Sequence, residues 1–356
     1  MPSIIKENSI RQSNIELLRL LCMLMVLNLH SFWGHEHGEG ILNIVDFFRE
    51  STSICAVDTF VLISGFFGIK WKFKSFFNLV FQLFFYSFTV YGICVALGVF
   101  PFVMEDFKSC FYCLFNSWGF ITTYLQLYLI SPLLNAFSEK VSAKDHLVFI
   151  IVLFVAENFI LTPFTSNDLF NFSLMYLIGR LMYRTQALKK LEVNPYIGYL
   201  LMTTLMCAII YSLHLASFNR GNISSNPFAS RYSSPFVILQ SVFLFIIFGR
   251  ITIKSRAVNW LAASCLSIFL IHMHPAIKQI GYYQFTENLY EKSVFDHILI
   301  LTILMILVFF GSILIDKIRI FISKSCYNGV MYIYRKLPQN IKSLNHYLPY
   351  AVKNIL

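Results

Sequence analysis

The feature that most constrains this chain is a series of long apolar stretches, each near the length that crosses a lipid bilayer. About 20 apolar residues in a helix span the hydrocarbon core, and stretches of this kind recur between residues 14 and 320. No soluble fold could bury this much apolar sequence. We therefore predict an all-α fold, a polytopic bundle of about ten transmembrane helices. The predicted spans cover residues 14–33, 52–69, 76–100, 117–137, 147–162, 169–183, 196–216, 234–252, 258–277 and 295–320.

The composition agrees with a membrane protein and argues against a nucleic-acid-binding one. Only 13% of the residues are charged, whereas roughly a quarter are charged in an ordinary globular chain. The formal net charge of +10 could indicate a nucleic-acid partner, but the basic residues lie in short loops between apolar stretches. We interpret them as orientation signals and expect no nucleic-acid partner.

The distribution of these basic residues predicts how the chain crosses the membrane. With the amino terminus in the cytoplasm, 22 of the 28 lysines and arginines fall in cytoplasmic segments. Because such segments are enriched in basic residues, we predict an even number of spans and two cytoplasmic termini. We also predict two regions, a transmembrane domain at residues 1–323 and a basic, aromatic tail at 324–356. The tail is expected to lie along the inner membrane surface.

Ionisable side chains inside predicted spans are costly in lipid, so each is a functional candidate. His30 and Arg19 lie 11 residues apart in the first span. This spacing puts them on one stripe of the helix, about 16 Å apart along its axis. Arg19 would lie near the cytoplasm, where an arginine suits a phosphate-bearing ligand, and His30 in the outer half. The alternative is a snorkelling arginine and a histidine that bonds a neighbouring helix.

Three further ionisable residues are predicted at a depth close to that of His30. They are Asp58, Glu157 and His272, and together with His30 they predict a shared polar cavity. His274 should face nearly opposite to His272, so only one of these two histidines can face the bundle interior. For Glu157, a polar contact between helices is at least as good an interpretation.

Two short motifs have structural rather than chemical interpretations. Ser64-Gly65 lacks the surrounding nucleophile-elbow pattern, which favours close helix packing at this point. Cys110-Phe-Tyr-Cys113 has zinc-ligand spacing, but there is no second pair and no nearby histidine. We therefore predict no metal site and expect packed thiols there, with a local disulfide as the alternative.

Several motifs resemble those of the acyltransferase 3 family, which comprises membrane-embedded bacterial O-acyltransferases. The most specific is Asn14-Ile-Glu-Leu-Leu-Arg19, followed by an apolar run that ends at His30. The other matching stretches are 57–67, 118–124 with Tyr128, Ser131-Pro132 and Asn135, 172–180, and 267–272. The chain departs from the family at Ala56, where glycine is common, and at Lys70, Lys72 and Lys74, where arginines are common.

The resemblance implies acyl transfer from acyl-CoA, most simply acetyl-CoA, to a hydroxyl of a cell-surface glycan or its lipid-linked precursor. It implies the bacterial inner membrane, membrane lipids and a second copy of the chain as partners, and no bound cofactor. The catalytic residues that we expect are His30, Arg19, Asp58 and His272. The substrate-binding residues that we expect are Lys70, Lys72, Lys74, Trp118, Tyr124, Tyr128, Glu157 and Arg180.

In the implied mechanism, His30 acts as general base on the acceptor hydroxyl. A carboxylate, Asp58 or Glu157, would orient the imidazole, and His272 or a tyrosine would steady the oxyanion. Arg19 and the lysines would hold the phosphates of the donor. The main alternative is a transporter or exporter of a lipid, a glycan or protons, because intramembrane His, Asp and Glu also build relays. A second is a non-catalytic partner in polysaccharide assembly.

Overall fold

The computed structural model describes residues 12–32, 41–113, 118–161, 168–218 and 231–336. It is 84% helical and contains no strand in the described ranges, which confirms the all-α prediction. The helices, numbered in chain order, are α1 (Ser13–His30), α2 (Ile41–Ser53), α3 (Ala56–Phe67), α4 (Phe73–Ala96), α5 (Met104–Ser109), α6 (Gly119–Lys140), α7 (Ala143–Val155), α8 (Leu169–Thr185), α9 (Ala187–Lys190), α10 (Pro195–Phe218), α11 (Pro235–Arg250), α12 (Arg256–Ala262), α13 (Cys265–His272), α14 (Gln284–Glu287) and α15 (Val294–Lys336). Short 3-10 or π segments cover Cys110–Tyr112, Ala156–Leu161, Lys278–Tyr283 and Asn288–Glu291.

Six helical segments in the described ranges are long and apolar enough to cross a membrane. They are α1, the α2–α3 pair, and the apolar parts of α4, α6, α10 and α15. The chain is therefore a multi-pass membrane protein. The other four predicted spans coincide with shorter helical segments, namely α7 with its π segment, α8, α11, and the α12–α13 pair.

The second predicted span begins earlier than the hydropathy pattern indicates. The apolar stretch starts at residue 52, whereas the helical segment that contains it starts at Ile41. Asp46 and Arg49 lower the hydropathy of the first part of this segment, because a hydropathy scale counts each charged residue separately and takes no account of pairing. In the structure, Arg49 Nη1 lies 2.6 Å from Asp46 Oδ1, and the carboxylate is buried. A paired charge is far less costly to bury than a single one.

Helices α3 and α8 pack through their backbones, which confirms the interpretation of Ser64-Gly65. A Cβ atom on Gly65 would lie 2.1 Å from the carbonyl oxygen of Tyr176. On α8, a Cβ atom on Gly179 would lie 2.4 Å from the carbonyl oxygen of Leu62. Only glycine permits this approach, and small residues at helix crossings are typical of membrane bundles.

Helix α1 lies inside the bundle rather than at its lipid surface. In the span formed by α1, 72% of the residues are buried, compared with 22% in the span formed by α15. It packs against α2, α3, α11, α12, α13 and α15. Polar side chains on α1 therefore meet other helices instead of lipid.

Candidate active site

Two histidines meet at the carboxyl ends of α1 and α13. His30 and His272 are each the last residue of their helix, and their side chains are buried, with 7% and 3% of the residue surface exposed. Nδ1 of His30 lies 2.9 Å from Nε2 of His272. The sequence predicted a shared depth for these two residues, and the fold brings their rings into direct contact.

The hydrogen bonds of this pair assign the tautomer of each neutral ring. Nδ1 of His272 lies 2.6 Å from the carbonyl oxygen of Ile268, which can only accept, so this nitrogen carries a proton. Nε2 of His272 therefore accepts the hydrogen bond, and Nδ1 of His30 donates it. This assignment places the lone pair of His30 on Nε2. The pair can accept a proton at that nitrogen without breaking either bond.

Aromatic side chains enclose the two histidines. The ring of Phe269 lies 6.1 Å from that of His30 and 6.0 Å from that of His272, measured between ring centroids. The ring of Tyr282 lies 5.4 Å from that of His272, and its hydroxyl donates to the carbonyl of Leu27 at 2.8 Å. These walls restrict water access, and hydrogen bonds are stronger in such low-dielectric surroundings.

Asp58 and Glu157 were expected to orient the His30 imidazole, and the geometry does not agree. Oδ1 of Asp58 accepts a hydrogen bond of 2.9 Å from Asn171 Nδ2 on α8, and no hydrogen bond joins Asp58 to His30 in the described ranges. Glu157 lies on the π segment that continues α7, and α7 itself packs against α8. The ring that contacts and orients His30 is that of His272.

Sequence analysis did not single out Arg49, which is one of the six basic residues that fall outside the predicted cytoplasmic segments. Its Nε donates to Asn28 Oδ1 at 2.9 Å, and its Nη2 bonds the hydroxyl of Ser31, the residue after His30. Asp46 pairs with the same guanidinium and accepts a bond of 2.6 Å from the Tyr290 hydroxyl. Arg49 therefore holds the end of α1 in place. The three-residue spacing of Asp46 and Arg49 was the available signal.

The segment after α3 carries the predicted donor-binding lysines. Lys70 and Lys72 are exposed, and the side chain of Lys74 lies outside the described residues. The turn is held by Tyr176, whose hydroxyl donates to Asn135 Oδ1 at 2.8 Å and accepts from the Ile69 N–H at 2.9 Å. The fold thus presents the lysines on a well-fixed backbone.

Arg180 of α8 reaches the same segment. A Cβ atom on Gly68, whose φ is +72°, would lie 2.7 Å from Arg180 Nη1. Nη2 lies 3.5 Å from a carboxylate oxygen of Glu139, while the buried Nε has no hydrogen-bond partner in the described part of the chain. Arg180 supplies the planar guanidinium that the lysines lack, so the segment is suited to bind a phosphate.

Arg19 occupies a different position, beside α13. Its guanidinium lies 3.4 Å from Glu16 Oε1, and 37% of the side chain is exposed. Its carbonyl oxygen accepts a bond of 3.4 Å from the Cys265 thiol. The predicted grouping of Arg19 with the lysines is not supported by any contact in the described ranges.

Tyr124 and Tyr128 of α6, and Trp118 just before it, make separate contacts. Lys72 donates its backbone N–H to the Tyr128 hydroxyl at 3.4 Å, whereas the Tyr124 hydroxyl lies 3.2 Å from Ser64 Oγ. Trp118 is buried, and its ring lies 5.7 Å from that of His274. His274 bonds the carbonyl of Ser87 at 3.3 Å and is buried like His272, so the prediction that only one of these two histidines faces the interior is wrong.

Comparison with known proteins supports the resemblance that the motifs indicate. A family model described as an acyltransferase domain matches residues 12–317. None of the curated proteins and none of the solved structures matches the chain. The match covers nearly the whole chain and includes the histidine pair and the basic segment after α3. This multi-pass membrane protein therefore belongs to the acyltransferase 3 family.

Proposed function

We propose that this chain is an O-acyltransferase that moves an acyl group, most simply acetyl, from acyl-CoA to a hydroxyl of a cell-surface glycan or its lipid-linked precursor. The observation that supports this most directly is the buried His30–His272 pair, whose tautomers place a basic nitrogen on His30. Family membership supplies the reaction class.

The chemistry follows from the two rings. His30 Nε2 takes the proton of the acceptor hydroxyl as its oxygen attacks the thioester carbonyl. The C–O bond forms, the C–S bond breaks, and the CoA thiolate leaves and takes up the proton from His30. His272 keeps accepting from His30 Nδ1, so it orients the imidazole and stabilises the imidazolium, the role that a carboxylate has in a catalytic triad. Because its only N–H is bonded to Ile268, His272 does not steady the oxyanion.

The donor is proposed to enter from the cytoplasm. Arg180, Lys70 and Lys72 bind its phosphates, and Arg19 adds positive charge on the same side. The acyl chain then reaches His30, about 16 Å along α1 from Arg19. The separation of a phosphate-binding segment from a buried base matches a long donor with charge at one end and a thioester at the other.

We further propose ten spans in the bacterial inner membrane, with both termini cytoplasmic. Near their starts, α3 and α8 are joined by Asp58 and Asn171. Farther along, Ile69 meets Tyr176. The two helices therefore run in the same direction, as the second and sixth spans of this arrangement must. Single reporter cysteines at Lys189 and Glu105, in a background free of native cysteines, should label from opposite sides. Labelling of both positions from outside would contradict the topology.

The function is tested with purified protein and acetyl-CoA that carries a radiolabelled acetyl group. We expect the label to appear on a glycan or lipid-linked sugar acceptor with the parent protein and not with His30→Gln. The transporter alternative predicts flux of a solute or lipid across proteoliposomes without transfer of label. That result would overturn the acyltransferase proposal.

A further inference from the structure

Asp58 differs from the other deeply buried aspartates that the structure describes. Asp316 is bonded through both oxygens, to Arg319 and to Tyr86, and Asp46 through both, to Arg49 and to Tyr290. Asp58 is fully buried, and only its Oδ1 is bonded, to the amide of Asn171.

Two acceptor oxygens are left over at this contact. Asp58 Oδ2 and Asn171 Oδ1 are both buried, and neither has a hydrogen-bond partner in the described ranges. Leaving a buried polar atom unpaired costs stability, so each such atom requires an explanation. A pair that served only to join α3 to α8 would need the single bond that it already makes. The two oxygens are able to accept hydrogen bonds from a ligand.

The position of the Asp58–Asn171 pair in the bundle indicates which ligand it could bind. Asp58 and Asn171 lie on the two helices that carry Lys70 and Arg180 near their inner ends. From Arg180 to Asn171 is about 13 Å along α8. In the other direction, the hydroxyl of Ser53 meets Asn28 on the last turns of α1. Asp58 therefore lies between the phosphate-binding segment and the level of His30.

We propose that Asp58 and Asn171 bind an amide N–H of the pantetheine arm of the acyl-CoA donor. This inference rests on the proposed function. The arm of such a donor carries amide groups between its phosphates and its thioester. The protein presents complementary groups in the same order: the basic segment with Arg180, the Asp58–Asn171 acceptors, and the His30 base.

The test compares two ligands that share a phosphate end and differ in the arm. We measure the Kd of CoA and of adenosine 3′,5′-bisphosphate, which lacks the arm, by calorimetry on the full chain in detergent. Asp58→Asn is expected to raise the Kd of CoA about 10-fold, because an acceptor oxygen is replaced by a donor N–H. The Kd of the bisphosphate should stay unchanged. Arg180→Ala should raise the Kd of both ligands.

The matched control is Ser241→Ala, which removes a buried interhelical hydroxyl that bonds the carbonyl of Cys55 at 3.1 Å. It should change neither Kd. If Asp58→Asn fails to fold, Asn171→Ser keeps a hydroxyl donor for Asp58 and removes the unpaired amide oxygen. This variant should bind CoA more weakly than the parent, with the bisphosphate again unaffected.

An unchanged Kd for CoA in a folded variant, or a rise confined to the KM of the hydroxyl acceptor, would overturn the inference. Since binding requires no turnover, this result is separate from the transfer assay. A parent protein that binds CoA but transfers no acyl group would instead count against the proposed function.

Discussion

The His30–His272 pair and the basic segment after α3 differ in almost every physical property. His30 and His272 are buried, enclosed by aromatic rings and bonded through defined nitrogens. Lys70 and Lys72 are exposed, and their charges act through water. Rigid, dry surroundings favour proton transfer, whereas exposed cations attract a charged ligand without positioning its reactive end. Substitutions in the histidine pair should therefore lower turnover, and those at the basic segment should raise the KM of the donor.

The largest expected effect is at His30. His30→Ala should lower activity on the order of 10²–10⁴-fold, because the general base is lost. His30→Gln keeps a hydrogen-bonding side chain but cannot take a proton, so its activity should be no higher than that of His30→Ala. Acetylation is measured at matched expression and matched donor binding, with His274→Ala as a milder control that leaves the pair intact. Near-normal activity in His30→Gln would reduce the residue to a structural hydrogen-bonder.

A smaller loss is expected at His272, because this residue acts through His30. His272→Phe should lower kcat about 10²-fold with the donor KM little changed. His272→Gln, whose carbonyl can accept from His30 Nδ1, should recover part of that loss. The check is a comparison of kcat and KM for the two variants. If kcat falls equally in His272→Phe and His272→Gln, and both variants are folded, then the packing of His272 matters and its hydrogen bond to His30 does not.

At the basic segment, Arg180→Ala should raise the donor KM about 10-fold with kcat nearly unchanged, because the proposed phosphate contact is held in the ground and transition states alike. Lys144→Ala removes an exposed charge near the start of α7 and serves as the control. The difference in donor KM between Arg180→Ala and Lys144→Ala should persist at high salt, because Arg180 is largely buried and salt screens it little. A fall in kcat alone would contradict the assignment.

The smallest effect is expected at Arg19. Arg19→Ala should raise the donor KM a few-fold and leave turnover largely unchanged, since its guanidinium is partly neutralised by Glu16 and partly exposed. The measurement is the donor KM at low and high salt, where the effect should shrink as salt screens the charge. An unchanged KM at low salt, in properly folded protein, would remove Arg19 from the donor site.

The sequence alone determined the all-α membrane-spanning character, the family motifs and the shared depth of His30 and His272. These properties follow from local patterns, because the length of an apolar stretch and the pitch of a helix require no knowledge of neighbours. The packing at Ser64-Gly65 was predictable for the same reason, since the absence of side-chain volume is visible in the sequence.

Only the tertiary structure decided which polar groups meet. Asp58 bonds Asn171, which is distant in the sequence, and the His30 ring is oriented by another histidine instead of a carboxylate. The early start of the second span depends on the Asp46–Arg49 pair, which hydropathy counts as two separate charges. Pairing energies depend on distance and burial, and both quantities exist only once the helices have packed.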